Sequence, residues 1–226
     1  MPPFSPASFR FLRDLAAHNT REWFAEHKPR YEAEVQQPAL AFIEAFAPRL
    51  HALSAHFVAD PRKSGGSLFR IHRDTRFSKD KRPYKTAVGI QFRHERGRDV
   101  HCPGFYLHIE PGACFAAVGI WRPDGPTLTK LRHGMIDDPA LFDEVYRGPC
   151  RASAWEPAGD ALKTAPRGYP RDHPQIEDLR RKDVILAAPL TQTQVCGPGL
   201  VGAYERLCAG AFPLVRWQCE ELDLPV

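Results

Sequence analysis

Three alternating segments follow one another through the middle of the chain. Lys85 to His94 puts Val88, Ile90 and Phe92 on one face and Ala87, Gly89, Gln91 and Arg93 on the other. His94 to Asp99 is polar and contains Gly97, which marks a turn. Phe105, Leu107 and Ile109 then share a face, with Tyr106, His108 and Glu110 opposite, and Pro111-Gly112 turns the chain into Cys114 to Trp121. A parallel crossover needs about a dozen residues or more, so these short links predict an antiparallel meander with helices on one side.

The flanks supply those helices. Ser5-Pro6 reads as an N-cap and first-turn proline, followed by Phe9, Leu12 and Ala16 at helical spacing. Asn19 to Glu22 resembles a capping box with Asn19 as the cap, and Trp23 and Phe24 follow as core anchors. Pro38 opens a third segment whose apolar face is Phe42, Ile43, Phe46, Leu50 and Leu53. Past Trp121, Asp124 and Asp138-Pro139 start two further helices, and Ile176 to Arg181 is a helical turn. Asp183 to Pro189 is a short strand, and the C-terminus is a helix that Pro213 kinks or restarts. Ser67 to Arg73 alternates as an additional strand, and Gly148 to Pro174 reads as a long ordered loop. The expected fold class is α+β: a central, mainly antiparallel sheet with N- and C-terminal helices packed against it, in one domain spanning 1–226. Ala87, Gly89, Ala117 and Gly119 are small residues on strands, which either leave room over the sheet or let a helix pack closely; helix packing is the expectation.

Proline is abundant, at 22 residues in 226, roughly twice ordinary usage, which favours rigid connections. The N-terminus lacks the basic start and apolar run of a signal peptide, and no stretch approaches the length of a membrane helix, so a cytoplasmic protein without a membrane partner is expected. The six cysteines form no C-x-x-C pair or zinc spacing and are expected as reduced thiols, mostly buried.

Charge is distributed unevenly. Between Arg62 and Lys85 nine basic residues face only Asp74 and Asp80, a local excess of +7 in a chain of net charge +4. A field so confined points to a site more than to a general polyelectrolyte. The run Arg70-Ile71-His72-Arg73-Asp74-Thr75-Arg76-Phe77-Ser78-Lys79-Asp80-Lys81-Arg82-Pro83-Tyr84-Lys85 links two strands, where a rigid scaffold presents side chains. Guanidinium groups suit phosphate and carboxylate because they donate two parallel hydrogen bonds. Phe77 and Tyr84 either stack on a base or pack inward. The plainer alternative is a solvated loop, anchored by Phe77, with its aspartates paired to neighbours.

The pattern Arg70-x-x-Arg73-Asp74-x-Arg76-Phe77-Ser78-x-Asp80-Lys81-x-Pro83-Tyr84-Lys85-Thr86 resembles the signature of domain-of-unknown-function family 2461, a family of mainly bacterial proteins of about this length with fungal relatives. Asn19-x-x-Glu22-Trp23-Phe24, Pro103-Gly104-Phe105-Tyr106-x-His108-Ile109-Glu110-Pro111-Gly112 and Leu162-Lys163-x-x-Pro166-x-Gly168-Tyr169 match as well, so the resemblance covers nearly the whole chain. It implies membership without assigning an activity or a cofactor.

The ligand must therefore come from the residues. The leading expectation is an anionic small molecule or nucleotide, bearing phosphate or carboxylate, held by Arg70, Arg73, Arg76, Lys79, Lys81, Tyr84 and Lys85. His72 and Asp74, like His108 and Glu110, are two apart and share a strand face. Were the two faces to coincide, they would form a metal site or an acid–base pair; the surrounding cations disfavour a metal, and none is assigned. An enzyme on a phosphorylated or acidic substrate would use Asp74, His108 or Glu110 for proton transfer. A nucleic-acid-binding module and a purely structural arginine motif are the other readings. The stretch Lys163 to Tyr169 is expected as a wall over the site.

Overall fold

A computed structural model describes residues 3–97 and 101–226. The end of the polar turn expected over His94–Asp99 lies outside the described residues. The chain runs through α1 (Pro6–Ala17), α2 (Arg21–Tyr31), α3 (Gln37–Leu53), β1 (Val88–Arg93), β2 (Gly104–Ile109), β3 (Cys114–Ile120), α4 (Gly125–Asp137), α5 (Pro139–Ala152), β4 (Glu156–Ala158), α6 (Ile176–Leu179), β5 (Val184–Leu190), α7 (Gln192–Val195) and α8 (Leu200–Glu221).

Local chemistry sets most of these boundaries. Ser5 caps α1 by accepting from the Ala7 amide at 3.3 Å, with Pro6 in the first turn. Asp124 and Asp138 cap α4 and α5, accepting from the Thr127 and Leu141 amides. The cap of α2 is Thr20, which accepts from the Trp23 amide at 3.2 Å; the Asn19 capping box does not form, because Asn19 is committed elsewhere. A π-helical turn, Glu32–Gln36, joins α2 to α3, so Pro38 continues a helical run where a new helix was expected. Pro213 likewise sits inside α8, which continues through it. The segment expected as a loop from Gly148 contains the last turn of α5 and the short edge strand β4.

The sheet is antiparallel throughout, in the order β1-β2-β3-β5-β4. The expected α+β meander is present, with β5 returning to pair with β3 after the helices α4 to α6. Strand alternation divides the sheet into two unlike faces. The rows Ile90–Leu107–Ala116–Ala188 and Phe92–Phe105–Val118–Leu186 are buried against helices. Phe46 of α3 meets Phe92 at 4.9 Å between ring centroids and Tyr204 of α8 at the same distance. Phe142 of α5 backs Trp217 of α8 at 5.0 Å.

The opposite face carries the rows Gly89–His108–Phe115–Pro189 and Gln91–Tyr106–Ala117–Ala187. Gly89 and Ala117 border open space on this face, so the expectation that they receive a helix is corrected for these two. At Gly119, Gln218 of α8 does approach, and Ala87 lies between the cleft edge and Leu12, Tyr31 and Val35. Gly119 also has φ +110, and a Cβ there would come within 2.3 Å of the Val184 carbonyl oxygen.

The segment expected as a strand over Ser67–Arg73 lies along the free edge of β1. It pairs there only in isolated steps, Leu68 with Ile90 and, further on, His72 with Tyr84. Leu68 enters the core while Phe69 stands over the open face, 5.8 Å from the Tyr106 ring. No helix among the described residues is long and apolar enough to cross a membrane.

Candidate functional site

The open sheet face forms the floor of a cleft with two lobes. The apolar lobe, about 380 Å³, lies over β2, β3 and the start of β5 and is lined by Phe69, Gln91, Phe115, Ala117, Gly119 and Trp121. The cationic lobe, about 480 Å³, is bounded by Arg73, Asp80, Arg82, Lys85, Thr86 and Gly89. Phe69, Tyr106, His108 and Trp121 border both. An apolar chamber with a few convergent polar groups is the usual form of a small-molecule site.

The basic segment is shaped by its own aspartates. Asp74 accepts from the Arg76 backbone amide at 3.2 Å and from its guanidinium at 3.0 and 2.7 Å. Asp80 holds Arg82 in the same way, and Asp60 holds Arg62. Two Asp-x-Arg clamps thus fold the loop onto itself, with a third just before it, and the neighbour pairing expected of Asp74 and Asp80 is present. Arg73 ties the second clamp to the site, donating to Asp80 at 2.7 Å and to the Arg82 carbonyl at 3.2 Å. The Arg76 guanidinium brings the Asp74 carboxyl down to about 2, and Arg82, with Arg73, holds Asp80 well below the ordinary carboxylate range. Lys81 donates to the Thr75 carbonyl at 2.9 Å.

These contacts sort the sequence-predicted ligand residues. Arg73, Tyr84 and Lys85 border the cationic lobe, together with Arg82, which the sequence reading had not singled out. Arg70, Arg76, Lys79 and Lys81 border neither lobe. Tyr84 is buried and stacks on Phe24 at 4.1 Å, whereas Phe77 is 96% exposed and anchors nothing. Lys85 differs from the other cations. It is half-buried, its ammonium lies 5.3 Å from the Phe69 ring centroid, and it has no carboxylate partner among the described residues. Burial, and secondarily Arg70, lowers its pKa.

The proposed acid–base residues separate. Asp74 is exposed, bound to Arg76, and borders neither lobe. His72 lies 5.2 Å from the Tyr84 ring, and no group of three or more His, Cys, Asp or Glu side chains able to hold a metal occurs among the described residues. The two His–carboxylate pairs therefore do not converge. His108 and Glu110 form a line of their own along β2. The Tyr106 hydroxyl meets His108 Nδ1 at 3.0 Å, His108 Nε2 meets Glu110 Oε2 at 3.2 Å, and Thr86 Oγ1 donates to Glu110 Oε1 at 3.0 Å. Phe115, directly across in β3, stacks on the His108 ring at 4.7 Å and fixes its plane.

Trp121, just past the end of β3, borders both lobes and carries Arg122 at 4.6 Å; like Phe69, Tyr106 and Phe115 it was not among the expected site residues. The stretch Lys163 to Tyr169 contributes no wall: it borders neither lobe, and Tyr169 packs against the core's edge. Cys114, Cys208 and Cys219 are buried, and burial pushes the Cys219 thiol to about 12, which suits packing rather than nucleophilic chemistry.

The segments that build the cleft all lie within one family match, over residues 7–217. The chain belongs to the DUF2461 family of conserved hypothetical proteins. No curated protein and no solved structure matches it. The Arg70–Thr86 signature of this DUF2461 chain supplies one wall of the cationic lobe, and its Pro103–Gly112 stretch supplies the strand that forms the floor.

Proposed function

We propose that this protein binds a small molecule with a phosphate or carboxylate at one end and an apolar, ring-sized body. The anionic end lies beside Lys85, Arg73 and Arg82, and the body lies over Ala117 between Phe69, Phe115 and Trp121. The observation that carries this reading is Lys85. A half-buried cation without a counter-charge is costly to maintain, and a bound anion removes that cost. Arg73 and Arg82 already share Asp80, so they add directional donors without making the lobe strongly charged.

Thermal unfolding against benzoate, phenyl phosphate and neutral benzamide tests this reading. Saturable stabilisation by one or both anions, absent with benzamide and lost in Arg73→Glu, is the expected result. Equal shifts from all three compounds contradict it.

A second reading rests on Phe77, whose exposed ring lies 5.8 Å from the Arg76 guanidinium, an arrangement that suits stacking on a base of single-stranded nucleic acid. Oligonucleotide binding that falls steeply with salt and disappears in Phe77→Ser would favour it over the cleft.

A further inference from the structure

We infer that Tyr106, His108 and Glu110 form a nucleophile–base–orienter triad, which makes the cleft the active site of an enzyme that cleaves esters of anionic, apolar-bodied acids. The inference rests on the ligand reading above, since the same cleft holds the substrate.

The geometry is that of an activated nucleophile: a hydroxyl within hydrogen-bond reach of a base, which a third group orients. Tyr106 and His108 stand at alternate positions of β2 on its open face, and Glu110, one residue past the end of the strand, continues the line. A carboxylate at Glu110 accepts from His108 Nε2–H, which leaves Nδ1 as the acceptor for the Tyr106 hydroxyl. Thr86 holds the second carboxylate oxygen and so fixes the direction of the line. Tyr106 and His108 border both lobes, so the hydroxyl stands where an anionic group in one lobe joins an apolar body in the other.

The neighbouring strand is cut to fit. Gly89 pairs with His108, and a Cβ at position 89 would lie 2.7 Å from Tyr106 Oη and 3.0 Å from the Phe69 ring. The absent side chain is what lets the phenol lean across to the imidazole. Burial, with the nearby Glu110, pushes the phenol to about 12, so it stays protonated at neutral pH and reacts only with a base to receive its proton.

The step balances within these groups. Tyr106 Oη attacks the ester carbonyl carbon as its proton passes to His108 Nδ1. The C–O bond to the leaving alcohol breaks, and that alcohol takes the proton from His108. Water, deprotonated by the same nitrogen, then attacks the acyl-tyrosine, and Tyr106 recovers its proton. The net reaction is ester plus water to acid plus alcohol. Glu110 and Thr86 are positioning residues.

The test uses 4-(fluorosulfonyl)benzoate, which joins a carboxylate, an aromatic ring and an electrophile. Attack forms an O–S bond and breaks S–F; fluoride leaves and the proton goes to His108. Mass spectrometry of the full-length protein and its peptides is expected to place one label on Tyr106. Labelling is expected to be absent from that peptide in Tyr106→Phe, at least ten-fold slower in His108→Gln, and slower in D2O for the unaltered protein, a readout that needs no variant to fold. Glu110→Leu, which removes the acceptor altogether, is expected to slow labelling and also to remove the preference for the Nε2–H tautomer of His108 in long-range nitrogen NMR, which a merely structural role would not do. No label on Tyr106, or an equal rate in a folded His108→Gln protein, overturns the triad. The comparator benzenesulfonyl fluoride separates the two readings. If it labels Tyr106 as fast as the carboxylate probe, the anion lobe is overturned while the triad stands; a carboxylate advantage lost in Lys85→Met supports both.

Discussion

Asn19 holds the main chain of Tyr84 at both polar atoms: its Nδ2 donates to the Tyr84 carbonyl and its Oδ1 accepts from the Tyr84 amide, each at 3.0 Å. The residues are 65 apart in sequence. The contact fastens the end of the basic segment to the corner between α1 and α2, and Phe24 stacks on the Tyr84 ring beside it. Lys85, the next residue, is thereby fixed at the cleft. Asn19→Ala leaves a buried N–H and carbonyl unsatisfied. We expect a loss of about 1–3 kcal/mol in urea unfolding, together with faster hydrogen exchange at the Tyr84 amide. Unchanged exchange would contradict this role.

Phe77 is expected to contribute nothing to the fold. Its ring is 96% exposed, so Phe77→Ser should change unfolding free energy by less than about 0.5 kcal/mol. A loss of about 2 kcal/mol or more in the same urea measurement would mean that the loop packs its ring.

Gly89→Ala is expected to part Tyr106 from His108 while the fold persists. The new Cβ would meet the end of the Tyr106 side chain, which can swing aside. A crystal structure of the variant should show the Oη–Nδ1 contact, 3.0 Å here, lengthened beyond about 3.5 Å. Retention of the contact would remove the reason given for glycine at this position.

The Asp-x-Arg clamps predict a specific acid response. The Asp74 carboxyl lies at about 2 in the folded chain against an ordinary 3.8, chiefly through Arg76. A pKa depressed by folding gives stabilisation that is present above about pH 4 and is lost as pH falls through about 2. Because the pair is fully exposed, the effect on global stability is small and the readout must be local. Carbon NMR of the Asp74 carboxyl should titrate near pH 2 in the native protein. A midpoint at the ordinary value would show that the clamp is open in solution.

Some of this was legible before the fold was known. Alternation in β1 to β3 and the caps at Ser5, Asp124 and Asp138 are local signals, and they gave the meander and the starts of α1, α4 and α5. The pairing of His108 with Glu110 was also local, since residues two apart on a strand share a face. Tyr106 shares that face by the same rule, but its contact with His108 depends on Gly89 in the next strand, hence on register. Asn19 was misread as a cap because its partner is remote. Gly89 and Ala117 turned out to leave room over the sheet and not to receive a helix, because nothing in a strand's own alternation says which face the helices will cover. Lys85 stood out only after its neighbours' aspartates had been spent on Arg76 and Arg82.

Calorimetric titration of phenyl phosphate and benzoate into the protein and into Lys85→Met tests the central claim most directly. We predict saturable one-to-one binding of at least one anion to the unaltered protein, no binding of benzamide, and at least a ten-fold loss in Lys85→Met. Binding that is unchanged in Lys85→Met, or equally tight for benzamide, would show that the half-buried cation is not what the cleft uses to recognise its ligand.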